Sequence, residues 1–139
     1  MIFDDHEITD DWYLNPIWRD RALTSPLGKT IIRNGMLSYA IFQGWGNDPV
    51  AFEAGERKQL LDQATKLFPA NATENPNEVA GNEIDKLLGL DQNAGLGGAN
   101  PPVKWHYTVP GEKHLVLVTD NRTRRSYVSR VGPTSPRTT

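Results

Sequence analysis

Apolar residues recur at near-helical intervals through the first two-thirds of the chain and alternate only near its end. The strongest period runs through Leu27, Ile31, Leu37, Ile41 and Trp45, widened by Tyr39, Ala40 and Phe42. So wide an arc predicts a helix buried against more than one neighbour. Ser25 followed by Pro26 is its start signal, a capping hydroxyl and then a proline whose missing N–H costs nothing in a first turn. Gly44, Gly46, Asn47, Asp48 and Pro49 end it. Upstream, Trp12, Leu14, Ile17 and Trp18 fit a helical turn that Asp10 and Asp11 cap and charge-complement, with Pro16 in its first turn. A second amphipathic helix is predicted from Glu53 to Phe68, with Leu60, Leu61, Ala64, Leu67 and Phe68 inward and Pro69 as its stop. A third is predicted from Glu78 to Leu90 through Val79, Ile84, Leu87 and Leu88. Asn71 to Asn77 is polar and turn-prone, and Asp91 to Pro102 is glycine- and proline-rich loop.

After that the period becomes two. Val103, Trp105, Tyr107 and Val109 alternate with Lys104, His106 and Thr108, the pattern of a half-buried strand. Pro110-Gly111 is a turn. His114 to Thr119 is nearly continuous and apolar, as a strand buried on both faces would be. The predicted fold class is α+β, with residues 12–90 mainly helical, two strands within 103–125, and a disordered tail over 126–139. Helices placed between a strand end and two strands predict a helical segment set into a larger layered sheet fold.

Composition narrows the function. The 139 residues carry a net charge of −2 with pI near 5.9, so no global basic field recruits nucleic acid. Acidic residues crowd the start (Asp4, Asp5, Glu7, Asp10, Asp11) and arginines the end (Arg122, Arg124, Arg125, Arg130, Arg137). With no cysteine, thiolate chemistry and disulfides are excluded. No run reaches the roughly 18 apolar residues of a membrane span, and no basic-then-apolar leader opens the chain, so a soluble chain without membrane partners is expected.

The candidate chemistry lies in Ile2-Phe3-Asp4-Asp5-His6-Glu7-Ile8, where an apolar pair delivers carboxylates and an imidazole. These are metal ligands and proton carriers alike. A fraying, solvated acidic start is the simpler reading of the same residues. Asp10 and Asp11 suit helix capping better than ligation. Trp12, Trp18 and Trp45 suit a core, and His106 and His114 structural places. The guanidinium groups of Arg122, Arg124 and Arg125 could grip phosphate, though a strand exit in which Asp120 pairs with one of them accounts for the same residues. Gly95-Leu96-Gly97-Gly98 lacks the lysine and helix start of a phosphate cradle.

The segments Asp4–Trp12, Trp18–Arg21, Asn34–Tyr39, Phe42 and Gly44–Pro49 resemble the PhoD-like metallophosphatases, the alkaline phosphatase D type. Val116 to Arg125, with its Asp-x-Arg-x-x-Arg ending, resembles a later strand of the same family. The two blocks stand in the family's order and cover about half of the chain. The resemblance implies a calcineurin-like layered-sheet fold, a dinuclear divalent-metal centre and hydrolysis of a phosphomonoester or phosphodiester. It implies that Asp5 binds metal, that His6 contacts the phosphate and protonates the leaving oxygen, and that Glu7 orients His6. The family's Asp-x-His, Gly-Asp-x-His and Gly-His-x-His motifs have no counterpart here. The expectation is therefore an internal fragment, residues 1–125 forming part of the domain, inactive alone and holding no metal tightly. The competing expectation is a non-catalytic helical interaction domain. Either way the long helix should leave an apolar surface for self-association, with Leu37, Ile41 and Trp45 central to it.

Overall fold

Ser25 opens the longest helix: its hydroxyl accepts a hydrogen bond from the Gly28 N–H at 3.2 Å, and Pro26 takes the first helical position. The computed structural model describes Ile8 and residues 16–68, 70–71, 74–90 and 100–127. Its elements are α1 (Pro16–Thr24), α2 (Pro26–Tyr39), a π-helical segment (Ala40–Gly44), α3 (Trp45–Asn47), a 3-10 turn (Pro49–Phe52), α4 (Gly55–Leu67), α5 (Glu78–Leu88), β1 (Tyr107–Pro110) and β2 (Leu115–Val118). The described residues are thus α+β, helices followed by one antiparallel hairpin.

Helices α4 and α5 pack on each other, while α2 meets both α1 and α5. Leu23, Ile32, Met36, Ala40, Leu60, Ala64, Ile84 and Leu88 form the centre of the core. At about 25 cal/mol per Å² removed from water, these side chains are the main stabilising element. Asn77 caps α5, its side-chain oxygen accepting from the Val79 and Ala80 N–H groups at 3.0 and 3.2 Å. At the other end Gly89 adopts φ 68°, which a β-carbon would strain. Its N–H donates to Lys86 O at 3.1 Å and that of Leu90 to Asp85 O at 2.8 Å, closing the helix. The chain then returns as an extended segment, with Val103 N–H on Leu87 O at 3.2 Å. Trp105 is buried there, edge-on to Tyr39 with ring centroids 5.4 Å apart.

Several sequence expectations need correction. The buried stripe of α2 runs through Ile32, Met36, Leu37 and Ala40, whereas Leu27 and Ile31 are exposed. An arc this wide can be phased in two ways. Arg33, drawn to Asp85 of α5, accompanies the phase seen. The helical run continues through the π segment and α3 to Asn47, within the Gly44–Pro49 stretch predicted to end it. Val79 and Phe68 are exposed, because Val79 lies on the outer face of the first turn of α5 and Phe68 leaves α4 in extended conformation. The predicted strand over 103–109 pairs only from Tyr107 onward, and β2 is exposed rather than buried, since β1 is its one partner among the described residues. Of the tail predicted to be disordered, Ser126 and Tyr127 are described and Tyr127 is half-buried; residues 128–139 lie outside the described residues. Asp10, Asp11, Trp12, Leu14 and the loop over 91–99 lie outside them as well. No helix among the described residues is long and apolar enough to cross a membrane.

Candidate functional site

Ile8 is the point at which the structure meets the Asp5-His6-Glu7 motif, whose three residues lie outside the described set. Ile8 packs against the hydrophobic core, over Gly35 of α2. A β-carbon at residue 35 would stand 3.1 Å from Ile8 Cγ2, so glycine there is what admits this approach. The apolar residue next to the motif is therefore anchored on the exposed-to-core boundary of α2. The same α2 stretch, from Asn34 to Tyr39, belongs to the family-like block.

The second block ends in a built turn. Asp120 Oδ1 accepts from the backbone N–H groups of Arg122 and Thr123, both at 3.0 Å, and Oδ2 accepts the Thr123 hydroxyl. The aspartate thus organises the turn by local hydrogen bonds, as such side chains do. Thr123 is buried. Arg124 reaches back across the fold, its Nη1 donating to Asn100 Oδ1 and its Nη2 to Pro101 O at 2.6 Å. It ties the turn to the segment that enters the hairpin. The charges of Arg125, and of Arg19 and Asp20 of α1, act on Tyr127. Burial pushes the Tyr127 phenol above its usual value of 10.0, Arg19 and Arg125 pull it down, and Asp20 adds to the rise. Arg19 itself is buried. Residues from Trp18–Arg21 and from Val116–Arg125, about a hundred positions apart, are thereby brought into one neighbourhood.

Compared with protein-family models, curated proteins and solved structures, the chain matches none.

The remaining candidates fall elsewhere. His106 is exposed, as its alternation predicted, and the His114 ring lies over Gly111 in the hairpin turn, where a β-carbon would stand 2.5 Å from it. Trp18 packs on the core, whereas Trp45 is exposed. Among the described residues no group of three or more histidine, aspartate or glutamate side chains could hold a metal ion. Every donor that the metal reading names therefore belongs to Asp5–Glu7.

Two polar constellations escaped the sequence reading. Asp85, buried on α5, receives Arg33 Nε and Nη2 at 2.7 Å each and Lys29 Nζ at 2.7 Å. The fork-to-fork geometry and the second cation compensate a carboxylate withdrawn from water. Its signal was present: Gly81, Asp85 and Leu88 share one face at helical spacing. Arg57 of α4 donates to Lys104 O from Nε at 3.0 Å and from Nη2 at 2.6 Å. Its Nη1 meets Asp48 Oδ2 at 3.2 Å, and the guanidinium lies 5.4 Å from the Phe52 ring centroid. No local pattern announces a bond across so many residues.

Proposed function

We propose that the chain is part of a PhoD-like metallophosphatase with a calcineurin-like fold, contributing one motif to a divalent-metal phosphoesterase site. The observation that supports this reading most is the packing of Ile8, next to the motif, over Gly35 within the family-like stretch of α2, beside charges of both family-like blocks acting on Tyr127. In this reading Asp5 holds a metal ion, His6 contacts the phosphate and protonates the leaving oxygen, and Glu7 orients the imidazole. The metal, when bound, polarises the phosphoryl group. The residues here would position and protonate, next to an isoleucine that packs on the core. A catalytic metal site needs at least three protein ligands with an open position, which one motif does not provide.

Calorimetric titration with manganese, zinc and calcium tests the assignment. Weak binding that Asp5→Asn removes is expected, with no turnover of p-nitrophenyl phosphate or its bis-ester above metal and buffer. Binding untouched by Asp5→Asn would remove the ligand role. Robust turnover abolished by His6→Ala would show that the chain holds a complete site. The encoding DNA tests the family directly: in-frame Asp-x-His and Gly-Asp-x-His motifs on either side are expected, and their absence would overturn the parentage.

A second reading, a non-catalytic interaction domain, is favoured by one observation. An apolar groove of about 360 Å³ runs between α2 and α4, floored by Leu37 and Ala64 and rimmed by Ile41, Trp45 and Phe68. Of the three residues expected at the centre of an apolar surface, Ile41 and Trp45 are exposed and Leu37 is buried. A chain that binds no metal through Asp5 but captures an apolar helix in this groove would fit that reading instead.

A further inference from the structure

The hairpin of β1 and β2 has a base and a free end. Tyr107 and Val118, paired at the base, are half-buried, whereas Val109, Leu115, Val116 and Leu117 toward the turn are exposed. A two-stranded hairpin by itself is marginal in water, because four residues a side scarcely offset the entropy of closing the loop between them. Its stability must come from the base, and two arginines meet there. On the entering side Val103 and Trp105 are buried, and Val103 N–H donates to Leu87 O at 3.2 Å. Arg57 of α4 grips the carbonyls on either side of Trp105. Its Nε and Nη2 donate to Lys104 O at 3.0 and 2.6 Å, and Nη2 reaches His106 O at 3.4 Å. On the leaving side Asp120 folds the turn that buries Thr123, and Arg124 donates back to Asn100 Oδ1 and to Pro101 O. Arg57 therefore ties the entering chain to the helices, and Arg124 ties the leaving chain to the entering one. Bonds from a guanidinium are stronger than those between neutral groups, so few of them suffice.

We infer that Arg57 and Arg124 form a clasp, and that the arm they close, residues 107–118, orders and melts as one unit while the helices stay folded. With entry and exit held side by side, the loop that the ladder must close is shortened, and the clasp supplies the stability that the open strand faces do not. Release leaves residues 107–118 as extended chain hinged at His106 and Thr119, with Trp105 still in the core beside Tyr39. This is an order–disorder step that lies below global unfolding. The inference stands on the base of the hairpin and is independent of the metallophosphatase reading.

Native-state amide exchange of the whole chain over a urea series separates the two units. The β1 and β2 amides should share one opening, lower in free energy and shallower in urea dependence than that of the α4 and α5 amides. Arg57→Ala and Arg124→Ala should each speed exchange in the arm several-fold. In the double variant the arm amides should approach the rates of unstructured chain while α4 and α5 remain protected and the helical circular dichroism is kept. Three results would each overturn the inference. The arm and helix amides of the unaltered chain could fall on one common urea dependence, which needs no variant to fold. The double variant could keep its arm protected, so that the arginines do not hold it. Or α4 and α5 could lose their protection together with the arm, so that no separate unit exists.

Discussion

Helix α5 and strand β2 both carry apolar residues in close succession, yet they meet opposite environments. In α5, Ile84, Leu87 and Leu88 are 0, 9 and 1 % exposed, whereas Leu115 and Leu117 of β2 are 58 and 66 % exposed. The difference is geometric. The apolar residues of α5 lie on one stripe, which two neighbouring helices cover. Those of β2 alternate between two faces, and each face needs its own layer. Hydrophobic content alone does not bury a segment; the number of faces it presents against the layers available does.

Removal of the charge beneath the helical body should have the largest effect. Asp85→Ala leaves Arg33 and Lys29 without their shared carboxylate and should cost about 3–5 kcal/mol. Urea denaturation followed by tryptophan fluorescence would measure it, and a loss near zero would mean that the carboxylate is dispensable to α2–α5 packing. Next, Ile84→Ala should destabilise by about 2–5 kcal/mol through lost contact and a residual cavity. Leu117→Ala, at an exposed site, should change stability by less than about 0.5 kcal/mol in dilute protein. The same titration on both variants tests the comparison directly, since equal losses would erase it. Arg57→Ala should act between these extremes, costing about 1–3 kcal/mol. Its signature would be faster amide exchange in β1 and β2 with the α4–α5 amides unchanged, because Arg57 holds the approach to the hairpin through Lys104 O.

The smallest effect concerns pH. Folding raises the Tyr127 pKa, so above its ordinary value of 10.0 the unfolded chain releases the phenolic proton while the folded chain keeps it. Stability attributable to this group is whole below pH 10 and declines as pH rises beyond it. The alkaline slope of the melting temperature should be shallower in Tyr127→Phe; an unchanged slope would assign it to other groups.

Local chemistry was legible wherever neighbours in sequence supply the partner. Ser25-Pro26 marked the start of α2, the change at Glu78 from a polar, turn-prone stretch marked that of α5, and Pro110-Gly111 the hairpin turn. The helical stretches around α4 and α5 followed from period alone. Rotation of α2 was not legible, because apolar residues occupy most of its circumference and the choice accompanies Arg33 meeting Asp85 far along the chain. Burial of β2 was misjudged for the same reason: continuous apolar sequence reports what a strand can tolerate, not how many layers it has. Of the candidate site, Asp5-His6-Glu7 is a pattern of residue types in the sequence, and its three residues lie outside the described residues. The placement of Ile8 against Gly35 is a tertiary fact that no spacing encodes.

The π-helical segment Ala40–Gly44 acts as a phase shifter in the longest helical run. An α-helix turns about 100° per residue, so the angular address of everything after the segment depends on how many residues it contains and hardly at all on which. Deleting one residue there would swing Trp45 by about a quarter turn, away from the rim of the α2–α4 groove, without altering a single apolar side chain. Length, at this one place, is a coordinate of the surface.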